Sequence, residues 1–117
     1  MTVQEIANKL VRYCREGKFQ QCYDELYSPE VVSAEPPGMG IPEAKGLNGI
    51  AEKGKAWNEN IVEFHGSSVG EPIIADNHFS MTMSYDATFK DRGRSNTSQI
   101  CVYKIADGKI VEERFFY

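Results

Sequence analysis

The spacing of the apolar residues changes once along this chain, close to residue 60. Before that point they recur at helical intervals, as over residues 3–14, and after it they alternate with polar residues, as over residues 78–89. Helical intervals predict amphipathic helices, and alternation predicts strands with one buried face. Because the helices come first and no strand alternates with a helix, the sequence predicts an α+β domain with three N-terminal helices packed on an antiparallel sheet.

The ends of the three helices carry recognisable signals. Thr2 and Glu5 form a capping-box pattern before the first helix. Ser28-Pro29 should end the second, because the residue before a proline is pushed out of the helical region. The third should span about residues 47–59, and we expect its Gly54 to mark close packing against a neighbouring element, since glycine weakens a helix.

Turn signals divide the remainder of the chain into strands. Residues 31–35 predict a short first strand, and residues 36–42 hold too many prolines and glycines for regular structure. Asp107-Gly108 is the strongest short hairpin signal in the sequence. We therefore expect a long, shaped loop after the first strand and an antiparallel meander at the C-terminal end.

Length, charge and cysteine usage restrict the possible functions. A chain of 117 residues predicts a single domain, 1–117. A formal net charge of -4 disfavours nucleic-acid binding, and the lack of 18 consecutive apolar residues indicates no membrane span. Three cysteines without C-x-x-C spacing signal neither a disulfide framework nor a zinc site, so we expect a cytoplasmic protein. His65 and His78 lack companions at ligand spacing, and we expect neither a metal nor another cofactor.

The last two predicted strands carry apolar residues on both faces. Cys101, Tyr103 and Ile105 alternate with Ile100 and Val102. A sheet that is covered on one side and solvated on the other does not need apolar residues such as Ile100 and Val102 on its solvated face. We expect a homodimer through the outer sheet face, and the alternative is a few stray exposed apolar residues.

The order of predicted elements and two stretches of sequence carry a family resemblance. The stretches ELYSPEVVSAEPPG and VYKIADGKIVEERFFY resemble the nuclear transport factor 2-like superfamily, in its SnoaL-like branch of polyketide cyclase and ketosteroid isomerase relatives. The resemblance spans essentially the whole chain. It implies a cone, in which a bent sheet wraps around a helical layer and a deep apolar pocket at the open end takes a small-molecule ligand.

The resemblance also implies roles for individual positions. In ketosteroid isomerase the general-base aspartate ends the first strand just before a proline, and Glu35-Pro36 matches that position. The tyrosine donor of the isomerase oxyanion hole corresponds to Leu10 here, and its second donor, a protonated aspartic acid, corresponds to Cys101. The resemblance therefore implies a retained base without the two oxyanion donors.

Glu35 and Glu113 are the candidate base and acid. A carboxyl group at the mouth of an apolar pocket has its pKa raised toward neutrality, and a second carboxyl group nearby is driven partly neutral. The alternative for Glu35 is a solvated strand end, because alternation with the apolar Val32 and Ala34 points it outward. The alternative for Glu113 is membership of an ordinary charged edge.

Several residues on the predicted inner face could stabilise or contact a ligand. Tyr103, Tyr85 and Gln99 could donate hydrogen bonds to an enolate oxygen, although a buried ring with a satisfied hydroxyl is the alternative for each tyrosine. His65 could assist proton transfer at the pocket rim. The other candidates for lining the pocket, which also suit a plain core, are Trp57, Met81, Met83 and Phe115.

Two functions remain open from the sequence. In the first, the cone binds an apolar carbonyl compound and catalyses cofactor-free proton transfer of the isomerase or cyclase type: Glu35 takes the proton and Glu113 returns it. In the second, the protein is a non-catalytic module that binds a small molecule or another protein. Two carboxyl groups that both face the cavity would favour the first, because burying them is costly.

Overall fold

A computed structural model describes residues 1–117. The helices are α1 (Val3–Arg15), α2 (Phe19–Leu26) and α3 (Gly46–Asn60). The Thr2 side chain accepts a hydrogen bond from the Glu5 N–H, and the Glu5 side chain accepts one from the Thr2 N–H, so the predicted capping box is confirmed. Helix α2 ends just before the predicted stop at Ser28-Pro29.

Seven strands form one open sheet in the order β2-β1-β7-β6-β5-β3, with β4 paired to β5. The strands are β1 (Tyr27–Ala34), β2 (Ala44–Lys45), β3 (Ile61–Val69), β4 (Ile73–Ala75), β5 (His78–Phe89), β6 (Gly93–Ala106) and β7 (Lys109–Phe116). The predicted α+β class is confirmed, although β1 and β2 precede α3. The prediction of an antiparallel sheet is wrong at one pairing: strand β1 runs parallel to β7, so the sheet is mixed, whereas the other pairings are antiparallel.

Strand β1 is longer than the sequence predicts. It begins at Tyr27 and not at residue 31, and its pairing with β7 is irregular between Tyr27 and Val32. Pro29 lies inside that irregular stretch, where its missing N–H removes no regular ladder bond. Proline therefore marks a break in the ladder and not the beginning of the strand.

The loops agree with their turn signals. Asp107 and Gly108 have φ values of 52° and 73°, as the two central residues of a type I′ hairpin require. Residues 35–43, which contain the predicted proline- and glycine-rich loop, hold no helix or strand. This loop joins β1 to β2 and leads into α3.

The expectation for Gly54 is wrong, and the close approach occurs at Gly49. A Cβ atom at Gly54 would meet nothing within 4 Å, whereas one at Gly49 would lie 3.3 Å from the backbone carbon of Ala44. Helix α3 therefore packs against strand β2 at Gly49 and is open at Gly54.

The register of the sheet places one row of side chains across four strands. Ser33 pairs with Glu113, Glu113 with Tyr103, and Tyr103 with Phe79. All four residues are buried, and apolar residues of α1 and α2 pack in the same core. A serine and a glutamate thus lie side by side on the face that the helices cover.

The opposite face of the sheet leaves apolar side chains uncovered. Ile100 and Phe116 pair across β6 and β7 and are 50% and 41% exposed. The protein has no helix of the length and apolar character needed to cross a membrane.

Candidate active site

Glu113 is a carboxyl group held in the core by two hydroxyl groups. The Tyr27 hydroxyl donates to Oε2 at 2.5 Å, and the Ser33 hydroxyl donates to Oε1 at 2.8 Å. Glu113 is only 5% exposed. Burial raises the pKa of this carboxyl group above its ordinary value of 4.5, against the opposing effect of the hydrogen bonds from Tyr27 and Ser33.

A shift in strand register explains why Glu113 points inward. Ile110 and Glu113 are both buried although they are three residues apart, which strict alternation forbids. The pairing of β6 with β7 shifts between Lys104 and Ile105, so that the extra residue lies on β7 between its two inward-facing side chains. The bulge turns Glu113 from the solvent side to the core.

Lys53 connects this buried group to a second carboxylate. Its ammonium donates to Ser33 Oγ at 2.9 Å and lies 2.5 Å from Glu35 Oε1. The Tyr117 hydroxyl donates to the other oxygen of Glu35 at 2.8 Å. We call the resulting set the Glu113–Glu35 network; its members are Tyr27, Glu113, Ser33, Lys53, Glu35 and Tyr117.

Glu35 does not extend into solvent as the local alternation predicts. Its side chain is 13% exposed, and Ser33, two residues earlier, is 1% exposed with its hydroxyl on Glu113. Residues two apart point to the same side of an extended chain, so the Glu35 side chain points inward as the Ser33 side chain does. The apolar Val32 and Ala34 favoured the solvated alternative for Glu35, because the inward residue between them is the polar Ser33.

Phe115 contacts the outer end of the network, and Trp57, one helical turn after Lys53 on α3, packs on Tyr85. The Lys53 ammonium lies 4.8 Å from the centroid of the Phe115 ring, and the Trp57 and Tyr85 rings meet edge to face at 5.5 Å. Partial burial, and then the hydrogen bond to Glu35, raise the pKa of Tyr117 to about 12. The Tyr117 hydroxyl therefore stays protonated and can donate to Glu35 throughout the neutral range.

Tyr103 and Met81 belong to the core. They are 3% and 2% exposed, and the Tyr103 ring stacks on Phe79 with centroids 4.8 Å apart. Burial raises the pKa of Tyr103 well above its ordinary value. Both residues are on the inner face, as predicted, but under the helices and not at an open surface.

Gln99 and Met83 pair across β5 and β6, next to the core row. The Gln99 amide nitrogen lies 3.9 Å from Met83 Sδ and 3.6 Å from Cys101 Sγ. Sulfur is a weak acceptor, so the amide keeps donor capacity for a better partner. Neither residue joins the Glu113–Glu35 network.

His65 lies apart from the other candidates. Its Nε2 atom is 2.8 Å from Thr88 Oγ1, and Thr88 stands between the buried Ala87 and Phe89 on β5. Alternation along the strand places Thr88, and with it the His65 ring, on the outer face of the sheet. No three His, Cys, Asp or Glu side chains converge where they could hold a metal ion.

Four members of the network were missed from the sequence as site residues: Tyr27, Ser33, Lys53 and Tyr117. Lys53 had a usable signal, because it follows Ile50 by three residues and precedes Trp57 by four, which places a charge on the apolar stripe of α3. Tyr27 had none, since it falls at the junction of a helix and a strand. The network comes from three separate segments of the chain, residues 27–35, 53 and 113–117, so no local pattern contains it.

Comparisons with known proteins agree on one family. A sequence profile described as the SnoaL-like domain matches residues 1–117. No curated protein matches the chain. A candidate SnoaL-like polyketide cyclase [carbohydrate phosphatase] from Mesorhizobium loti has 29% identity and a TM-score of 0.92, with 100% of each chain covered.

Two more distant structures show the same fold. A nuclear transport factor 2-like protein of unknown function from Burkholderia pseudomallei has 14% identity and a TM-score of 0.77, over 100% of this chain and 92% of that chain. A protein named as an isomerase from Bacillus subtilis has 22% identity and a TM-score of 0.69, over 98% of this chain and 88% of that chain. The cone-shaped fold expected from the sequence is therefore confirmed.

Proposed function

Because this chain belongs to the family of SnoaL-like domains, we propose that it binds a small apolar carbonyl compound and catalyses cofactor-free proton transfer on it. The observation that carries the proposal is the Glu113–Glu35 network, in which Ser33 on Glu113 and Lys53 on Glu35 contact each other and so link the two carboxyl groups. A base and an acid held in fixed relation are what isomerisation and cyclisation reactions of this type require.

Glu35 takes the role of the base. It lies at the outer end of the network, where Lys53 and Tyr117 hold both of its oxygens in place. A carboxylate fixed in this way has lost its rotational freedom before a substrate arrives, which lowers the entropic barrier to proton transfer. Its position just before Pro36 matches that of the base in the ketosteroid isomerase relatives.

Glu113 holds and returns the proton in this proposal. Its raised pKa allows it to carry a proton closer to neutrality than an exposed glutamate can. At 5% exposure it does not reach a ligand directly, and Ser33 is only 1% exposed. Its proton therefore passes to the Ser33 oxygen while the Ser33 hydroxyl proton passes to Lys53 Nζ, which gives one of its own protons to the ligand. Among the three predicted oxyanion donors, Gln99 has an amide that contacts only sulfur atoms and so keeps donor capacity for a ligand oxygen.

The test is deuterium uptake in heavy water. We would incubate the protein with cyclic ketones and polyketide-like aromatic ketones and measure exchange at the α-carbon by mass spectrometry. Glu35→Gln should lose at least about 100-fold in rate, the usual contribution of a positioned base. Glu30→Gln, at an exposed position of strand β1, which ends just before Glu35, is the matched control and should exchange at the wild-type rate.

A binding module without catalysis is the second candidate. Leu10 and Cys101 stand at the two positions that correspond to the isomerase oxyanion donors. Leu10 is apolar and Cys101 is a thiol, and both are buried, at 1% and 0% exposure. The loss of both donors favours binding without catalysis. No exchange above the buffer rate with any ketone, together with ligand-induced increases in melting temperature, would favour this candidate.

The proposal includes a homodimer in the cytoplasm. The exposed pair Ile100 and Phe116 on the outer sheet face supports self-association. The three cysteines are free thiols, which agrees with a reducing compartment.

A further inference from the structure

Lys53 is the one cation of the Glu113–Glu35 network, and it is also the most accessible of the three charged groups there. Its side chain is 32% exposed, against 13% for the Glu35 side chain, and Glu113 is nearly fully buried. Its ammonium has three N–H donors. Ser33 Oγ and Glu35 Oε1 take two of them, and no protein acceptor takes the third.

From this arrangement we infer that Lys53 binds the ligand through an anionic oxygen, so that the ligand class is an apolar molecule that carries a phenolate or enolate. The Phe115 ring, 4.8 Å from the ammonium, and the Trp57 and Tyr85 rings provide apolar surfaces on which such a ligand can lie. The part of this inference that concerns the reaction rests on the proposed function, whereas the part that concerns ligand binding by Lys53 does not.

The charges balance during the proposed reaction. Glu35 removes a proton from the α-carbon and becomes neutral, and the electrons of the broken C–H bond form the C=C bond of an enolate with its charge on oxygen. Lys53 is then released from a carboxylate that has lost its charge and donates instead to an oxygen that has gained one. The negative charge moves from one partner of Lys53 to another, and the ammonium is never left unpaired.

Tyr103, one of the three donors expected from the sequence, is less suited to this role. It is 3% exposed and its ring is stacked on Phe79 under the helices. Lys53 reaches the same region from helix α3, on the side where Glu35 lies. Lys53 is therefore a catalytic residue in the proposed reaction, because it contacts the reacting oxygen.

The test uses a pair of probes that differ only in their ability to carry the charge, 2-naphthol and 2-methoxynaphthalene. For the wild type we expect the absorbance of the naphtholate ion to appear at lower pH when the probe is bound than when it is free. Lys53→Met should abolish this shift and weaken naphtholate binding at least about 10-fold, the effect of losing one charge-assisted hydrogen bond. Binding of 2-methoxynaphthalene should be unchanged.

Two further variants control for folding and for general charge. Lys53→Arg keeps the charge and should retain most of the spectral shift, and Lys55→Met removes an exposed lysine from the same helix without effect. A shift that persists in Lys53→Met, equal binding of the two probes, or no naphtholate binding by the wild type would overturn the inference.

The outcome also separates this inference from the proposed function. A Lys53-dependent shift without deuterium exchange would support the ligand class and reject catalysis. Deuterium exchange that requires Glu35 but proceeds at the wild-type rate in Lys53→Met would support catalysis and reject the role of Lys53.

Discussion

Glu113 and Lys53 share a single hydroxyl group, that of Ser33. The hydroxyl donates to the carboxyl group at 2.8 Å and accepts from the ammonium at 2.9 Å. A proton on Glu113 therefore changes the hydrogen bonding of Lys53, and through Lys53 that of Glu35. The following predictions depend on this link or on the fold that holds it.

Tyr27→Phe should destabilise the protein by about 1–3 kcal/mol at neutral pH, because it leaves one oxygen of the buried Glu113 without a donor. The measurement is urea unfolding followed by circular dichroism. Tyr23→Phe is the control, since the Tyr23 ring packs edge to face on Tyr27 but its hydroxyl makes no hydrogen bond within the protein. Equal losses in the two variants would show that the hydroxyl of Tyr27 carries no special role.

The stability of the wild type relative to Glu113→Gln should fall as the pH rises above about 4.5. Burial raises the pKa of Glu113 in the folded state, so the folded protein holds this proton more tightly than the unfolded chain does. The resulting stabilisation is complete below the unfolded value of 4.5 and is lost as the pH passes through the folded pKa. Its slope cannot exceed about 1.4 kcal/mol per pH unit, the value for one proton.

Denaturant unfolding at a series of pH values measures this difference. A difference between the two proteins that stays constant, or grows with pH, would mean that the hydrogen bonds from Tyr27 and Ser33 outweigh burial.

Gly54→Ala should stabilise the protein by about 0.5–1 kcal/mol. The position lies inside helix α3, and a Cβ atom there meets nothing within 4 Å, so the gain in helix propensity is not opposed. Gly49→Ala in the same helix should gain less or lose stability, because its Cβ would press on the backbone of Ala44. Thermal melts of the two variants compare them directly, and a larger gain at Gly49 would contradict the packing described for α3.

Ile100→Lys should convert a dimer into a monomer in sedimentation velocity. Ile100 is 50% exposed and lies beside Phe116 on the proposed interface, where a lysine would lose hydration without finding a partner. Met39→Lys is matched in exposure, at 50%, but lies in the loop after β1 and should leave the dimer intact. A monomeric wild type would reject this interface.

The sequence specified the elements better than it specified the site, and the difference follows from the range of the interactions. The cap at Thr2 and the turn at Asp107-Gly108 depend on neighbouring residues and were predicted correctly. The orientation of Glu35 stayed open between two alternatives, because Ser33, two residues earlier, is held inward by Glu113 from a strand near the other end of the chain. A polar residue buried by such a distant partner looks locally like a surface residue.

The coupling of Glu35 to Glu113 is tested most directly by a carbon-detected NMR titration of the glutamate side-chain carboxyl groups. We expect Glu113 to titrate above 4.5, its midpoint to rise further in Lys53→Met, and the Glu35 signal to bend at the pH where Glu113 titrates. A Glu113 midpoint at or below 4.5, or a Glu35 signal that does not respond when Glu113 titrates, would contradict a single coupled site.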